Sequence, residues 1–239
     1  MDDLFRLFEK IRESRRIVFF GGAGVSTESG IPDFRSVDGL YHSQYDDPPE
    51  TILSHSYFLR STQKFFDFYR QKMIYLDAKP NAAHKALASL ESKGKLSCVI
   101  TQNIDGLHQA AGSKHVLELH GSIHRNRCMH CNASFDLQTV LQSKGVPHCS
   151  CGGIIKPEVV LYGEPLSQEV TENALEEISS ADMLIIGGTS LSVYPAAGMI
   201  RAFSGKTLAL INQTPTPMDS KADMIFRLPI GKVFEKDDA

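Results

Sequence analysis

The sequence predicts an α/β fold built on a mostly parallel sheet, with a smaller second module, on the strength of three observations. Short, wholly apolar runs recur along the chain, and helical stretches separate most of them, the alternation that builds parallel sheets. Residues 36–75 and 122–157 interrupt that alternation with a polar loop, an aromatic-rich helix and a cluster of cysteines. The chain is 239 residues long, 42% hydrophobic and 22% charged, which excludes disorder and leaves room for one large domain plus a module.

Each element follows in order. Leu4, Leu7, Phe8 and Ile11 repeat at helical spacing, so residues 3–14 predict an amphipathic helix. Residues 17–20 form a continuous apolar strand of the kind buried on both faces. Similar runs stand at 98–100, 159–161, 183–186, 207–211 and 224–226. Phe65, Phe66, Phe68 and Tyr69 fall in a helix within the first interrupting segment. Asn81 caps a helix running to about Glu91, with Gly94 ending it. Ser167 caps another to about Ser179, and Pro195 suits the first turn of a third. The sheet domain is expected over residues 1–35, 76–121 and 157–239, and the small domain over 36–75 and 122–156. A cleft between them, at the carboxyl ends of the strands, is the natural ligand site.

Several function classes are excluded. A net charge of −3 gives no general pull toward nucleic acid or anionic membrane. No run approaches the ~18 uncharged apolar residues of a membrane span. The N-terminus is acidic at once and then amphipathic, unlike a secretory signal, so a cytoplasmic protein is expected.

Four of the five cysteines, Cys128, Cys131, Cys149 and Cys151, lie within 24 residues. Paired thiols on tight turns are what tetrahedral Zn²⁺ requires, and a disulfide framework is unexpected without export. Asn132 after the first pair and Gly152-Gly153 after the second suit turns around a metal. The second pair is C-x-C, tighter than the usual C-x-x-C, which leaves room for His130 or His148 to replace one ligand. Cys98 lies in an apolar run and reads as a small core residue.

The chemistry-bearing residues gather at strand ends. The first strand runs into Gly21, Gly22, Ala23, Gly24, Val25 and Ser26, a turn that sets a pyrophosphate against amide donors at a following helix start. Thr27 occupies the place of the third glycine of a dehydrogenase fingerprint, so an ordinary dehydrogenase is not expected. Asp33, Phe34 and Arg35 follow on a proline-stiffened loop, where Arg35 can fork to a phosphate and Phe34 can cover a ring or sugar face. Gln102, Asn103 and Asp105 make a hydrogen-bonding array suited to ribose hydroxyls and a carboxamide, although Asn103 and Asp105 equally suit a capped helix start. His120, followed by Gly121, is placed to act as a base near neutral pH or to serve as a structural histidine. Thr189 and Ser190 follow Gly187-Gly188, and Asn212 closes the next run, a second set of polar strand ends for a nucleotide.

GAGVSTESGIPDFR, TQNIDGLH, ELHGS, the cysteine module, KPEVVLYGE, GGTSLSVYPAA and LINQTPTP together resemble the sirtuins, NAD-dependent protein deacylases. The resemblance runs collinearly over essentially the whole chain and is strongest to the short bacterial and archaeal members. The chain departs in its C-x-C pair, in Lys156 where arginine is frequent and in Tyr162 where phenylalanine is usual.

The resemblance implies a Rossmann-like NAD-binding sheet and NAD as a consumed cosubstrate. Ala23, Thr27, Phe34 and Arg35 would contact it through the phosphate turn and loop, and Gln102 its ribose hydroxyls. Asn103 would order the ribose or a water, with Ile104 and Asp105 holding the nicotinamide carboxamide. Thr189, Ser190, Asn212 and Ile230 would take the adenosine half. An acyl-lysine oxygen would attack ribose C1′ as nicotinamide leaves, giving an alkylimidate, and His120 would then act as general base on a ribose hydroxyl. Val159, Val160 and Tyr162 belong to the segment expected to pair with substrate backbone. One structural Zn²⁺ on the four cysteines and acetylated protein or peptide substrates are implied, with no membrane or nucleic-acid partner. The same pocket also suits ADP-ribosyl transfer or removal of longer acyl chains.

Overall fold

The computed structural model describes residues 2–33 and 47–235. Strand β1 (Ile17–Gly21) is buried along its whole length. Its Ile17 and Phe19 enter one apolar cluster, Val18 and Phe20 another, the two-residue period of a strand covered on both faces. Strands β2 (Leu96–Thr101) and β3 (Val116–Glu118) continue the sheet on one side. Strands β4 (Gly121–Cys128), β5 (Ser134–Asp136) and β6 (Ile155–Val159) form a separate antiparallel sheet in the order β5-β4-β6. Strands β7 (Met183–Gly187), β8 (Thr207–Ile211) and β9 (Met224–Phe226) complete a six-stranded parallel sheet, order β3-β2-β1-β7-β8-β9. The order reverses between β1 and β7, and the crevice at their carboxyl ends is where such sheets bind ligands. This is the mostly parallel Rossmann-like sheet that the sequence predicts.

Helix α1 (Asp2–Glu13) lays Leu7, Phe8 and Ile11 on the first face of the sheet. Three short helices, α2 (Pro49–Ile52), α3 (His55–Arg60) and α4 (Thr62–Lys72), lie outside it. Helix α5 (Ala82–Ser92), capped by Asn81, joins α1 on the first face through Ala83, Leu87 and Leu90. Helix α6 (Leu107–Ala111) follows β2, and α7 (Leu137–Gln142) follows β5. Helix α8 (Gln168–Ser180), capped by Ser167, covers the other face together with a 3-10 turn, Ala196–Ala202. Helix α9 (Ile230–Phe234) returns to the first face. Cys98 is buried in the second cluster, where desolvation pushes its thiol up, as befits a core residue.

The two interrupting segments share a third apolar cluster. Phe58, Phe65, Phe66 and Tyr69 pack with Ile123, Val140 and Val159. The rings of Phe58 and Phe65 meet edge to face at 5.0 Å. Arg70 joins the segments through polar contacts: its Nε donates to the Val140 carbonyl at 3.0 Å and one Nη to Ser143 Oγ at 2.8 Å and to the Gly145 carbonyl. No described helix is long and apolar enough to cross a membrane.

Two expectations shift. The strand predicted at 159–161 ends at Val159 and begins earlier, at Ile155. Its residues alternate between buried and half-buried, so Lys156 and Glu158 break up the apolar signal. Beyond it the chain leaves the sheet, with Tyr162 N–H donating to the Leu53 carbonyl at 3.0 Å. The helix expected after the first glycine turn is instead two 3-10 turns, Ala23–Val25 and Thr27–Ser29.

Candidate active site and metal centre

Two glycine turns meet at the switch point, and their contact dictates the residue type. Gly24 N–H donates to the Gly188 carbonyl at 2.8 Å, and Gly22 N–H to that of Gly187 at 3.2 Å. Gly188 has φ +58, and a Cβ there would lie 2.3 Å from Val25 N. The glycines therefore serve first to let the two turns touch. Around them opens a cleft of about 440 Å³.

The end of β2 supplies a connected polar array. Gln102 Nε2 donates to Thr189 Oγ1 at 3.0 Å, joining the two strand ends. Asn103 Nδ2 donates to Ser26 Oγ at 3.1 Å, and Ser26 Oγ donates to Asp105 Oδ2 at 2.7 Å. Asp105 Oδ1 accepts from Leu107 N–H at 2.9 Å, an Asx turn just before α6, whose N-cap is Gly106. The polar array expected of the segment is present, whereas neither Asn103 nor Asp105 is the N-cap of the helix that follows. Ser26 is 1% exposed and was legible only as part of the turn. A hydroxyl 77 and 79 residues from its two partners carries no local signal for that junction.

His120 stands between β3 and β4. Its Nδ1 donates to the Gln102 carbonyl at 2.9 Å, and since a carbonyl only accepts, Nε2 is left as the basic nitrogen. Burial lowers its pKa from the ordinary histidine value, partly opposed by that hydrogen bond. Its own carbonyl accepts from Val160 N–H at 3.0 Å, which sets the end of β6 beside it. Gly121 permits this approach: φ is +73, and a Cβ would sit 1.8 Å from the Glu158 carbonyl oxygen.

The cleft brings together Ala23, Thr27, Gln102, Asn103, Ile104, Asp105 and His120 from the first half of the sheet. Thr189, Ser190, Asn212 and Ile230 line it from the second half, and Val159, Val160 and Tyr162 from the side of the small sheet. Phe34 and Arg35 lie outside the described residues. Glu164 also lines the cleft and had no role in the sequence reading. It accepts from Leu161 N–H at 2.8 Å and Lys156 Nζ at 3.1 Å, and lies 2.7 Å from His55 Nδ1. These contacts bend the chain after β6 back onto α3.

The sulfurs of Cys128, Cys131, Cys149 and Cys151 all lie within 4.8 Å of one another. Two of the separations, Cys128–Cys151 and Cys131–Cys149, are 3.5 and 3.6 Å. A tetrahedron with Zn–S bonds of about 2.3 Å has edges of about 3.8 Å, so the set fits that ion. Neither His130 nor His148 belongs to the cluster. Amide donors from Cys131 and His130 pull the Cys128 thiol down to about 6, toward the thiolate a metal needs. Asn132 turns the first pair with φ 59.

Comparison with known proteins gives a consistent set of matches. The family model described as Sir2 family matches residues 22–195. A protein of Clostridium acetobutylicum named NAD-dependent protein deacetylase is 57% identical, over 98% of each chain. One of the same name from Clostridium perfringens is 58% identical, over 99% of each. Among solved structures, a Sir2 with a p53 peptide and NAD⁺ aligns at a TM-score of 0.86 and 37% identity, covering 96% of this chain and 95% of that one. A second, holding a deacetylated p53 peptide and 3′-O-acetyl ADP ribose, aligns at 0.89 and 36% identity, covering 98% and 96%.

Proposed function

The chain belongs to the Sir2 family, and we propose that its cleft carries out NAD-dependent protein lysine deacetylation, the activity its relatives are named for. Acetyl-lysine, NAD and water are converted to lysine, nicotinamide and O-acetyl-ADP-ribose. The observation that carries this reading is His120, a neutral imidazole whose tautomer is fixed by the Gln102 carbonyl, set in one cleft with two glycine turns and an amide–carboxylate array.

The residues divide the work along the cleft. Ala23 and Thr27 present the turn to the pyrophosphate, with the dipoles of the short turns favouring the anion. Thr189, Ser190, Asn212 and Ile230 take the adenosine half, and Gln102 the ribose hydroxyls. Asn103, Ile104 and Asp105 hold the nicotinamide end, with Ser26 fixing the Asn103 and Asp105 side chains in relation to each other. Phe34 and Arg35 are assigned to NAD by their sequence motif alone.

The acetyl-lysine peptide lies along Val159, Val160 and Tyr162 as an added strand. Its carbonyl oxygen attacks ribose C1′ while nicotinamide, cationic in NAD, departs neutral without an acid catalyst. His120 Nε2 then accepts a proton from a ribose hydroxyl, whose oxygen attacks the acyl carbon. With burial holding the imidazole neutral, that base is present throughout the physiological range.

Cys128, Cys131, Cys149 and Cys151 would hold a Zn²⁺ whose part would be structural. We read residues 1–35, 76–121 and 157–239 as the NAD-binding domain, with 36–75 and 122–156 as the small one, supported by the apolar cluster the latter two share. Thiols kept reduced for a metal support a cytoplasmic location.

Mass spectrometry of an acetyl-lysine peptide tests the reading. Loss of the acetyl group with NAD and not without it is expected, together with O-acetyl-ADP-ribose. Nicotinamide release that does not require the peptide would favour ADP-ribosyl transfer or glycohydrolysis instead.

A further inference from the structure

Asn81 does two things with one side chain. Its oxygen caps α5, accepting from Ala83 N–H at 3.0 Å and His84 N–H at 3.4 Å, and the His84 imidazole completes a reciprocal cap. Capping uses only the oxygen. The amide nitrogen donates to the Val25 carbonyl at 2.7 Å and to Ser29 Oγ at 3.0 Å, across 56 and 52 residues of chain.

Those two acceptors end the two 3-10 turns that follow β1. A carbonyl at the end of such a turn lacks a partner within it, and here a side chain from a neighbouring helix supplies one. One planar amide thus pins the segment that brings Ala23, Ser26 and Thr27 to the cleft. Beneath it, His84 is fully buried and its ring packs against that of His108 at 4.7 Å. His108 belongs to α6, whose first residue, Leu107, donates its N–H to Asp105. Asn81 therefore sits on a rigid base shared by both polar loops, while lining no part of the cleft itself.

We infer that Asn81 is a positioning residue for NAD: its side-chain amide holds residues 23–29 in the geometry that receives the cosubstrate, separately from its duty as a helix cap. This inference rests on the reading of the cleft as an NAD site.

Two variants separate the duties. Asn81→Ser keeps a neutral capping oxygen but is too short to reach both acceptors, and Asn81→Asp caps as well as asparagine but has no donor. Calorimetric Kd for NAD and steady-state KM for NAD and for the acetyl peptide are measured in each, after circular dichroism and Tm establish folding. In both variants the Kd and KM for NAD should rise about tenfold, as expected for two lost hydrogen bonds. Peptide KM should stay near wild type and Tm should fall by only a few degrees, and for Asn81→Asp the rise should persist at high salt, where charge repulsion is screened.

Unchanged NAD affinity in folded variants would overturn the inference, as would failure of both variants to fold or an equal loss of affinity for peptide and NAD. The calorimetry keeps the two claims apart. If the wild-type protein binds NAD but deacetylates nothing, the reaction assignment fails and this inference is still tested. If the wild type binds no NAD, both fall.

Discussion

In the six-stranded sheet, β1, β7 and β8 are buried between two large apolar clusters, one on each face. The three-stranded sheet has no such cover at its cysteine end, where only Cys128, Cys149, Ile155 and the partly buried Phe135 pack together. The first region holds its shape by burial and places its polar residues only where strands end. The second has only a small core there, and its four clustered thiols fit a metal that would supply what burial does not. The cleft lies where a self-supporting surface meets one that is held in place, so the two sides should fail under different stresses.

Metal removal should produce the largest effect. Chelation is expected to unfold the module around β4, β5 and β6, remove the Val159–Val160 side of the cleft and abolish deacetylation, leaving the parallel sheet folded. Elemental analysis should find one zinc per chain before treatment. A metal-free protein with full activity and unchanged Tm would break the comparison.

Acid, which also protonates metal-bound thiolates, should act on the sheet region through its buried histidines. Burial lowers the pKa of His84 to about 4, with Asp105 opposing, and that of His108 to about 3, with the His84 charge adding to the effect. Unfolded imidazoles protonate near pH 6.5, so between about 6.5 and 3 the unfolded state binds more protons. The stabilisation is complete above that range and is lost as pH falls, by roughly 3 kcal/mol or more at pH 4. Urea unfolding at pH 7 and pH 4.5 reads this, and His108→Leu should flatten the slope. An unchanged slope in that variant would remove the pair as the cause.

A smaller effect sharpens where the sheet is unforgiving. Gly188→Ala should cost about 1–3 kcal/mol and raise the KM for NAD, since the added carbon meets Val25 N in a positive-φ turn. Gly94→Ala has a similar φ of +70 but nothing near its Cβ, so it should cost about 1 kcal/mol with no kinetic consequence. Equal effects at the two positions would show that φ alone, not contact between the turns, sets the requirement.

The same contrast explains what was legible in the sequence. Strands at 17–20, 183–186 and 207–211 stood out because a strand covered on both faces is a continuous apolar run, and the edge strand at 224–226 is apolar too, although Ile225 is exposed. Strands β4 and β5 did not, and β6 did only at its last residue, Val159, because one-sided cover mixes Arg125, Arg127 and Lys156 with buried residues. The cysteine cluster was legible because the spacing of such a set is local. The junction of Ser26 with Asn103 and Asp105, the double duty of Asn81 and the contact of Glu164 with His55 were not, because each depends on partners brought near only by the tertiary fold.

The central claim is that His120 supplies the base for a reaction whose cosubstrate is held by other residues. The direct measurement is His120→Ala, with kcat on an acetyl-lysine peptide and calorimetric NAD affinity determined on the same preparation. Turnover should fall about 10²- to 10⁴-fold, the range of a lost general base. NAD affinity should be retained, and the wild-type acid limb of kcat/KM should lie below the ordinary histidine value of about 6.5, in keeping with the lowered pKa. Near-normal turnover by the variant would contradict the account.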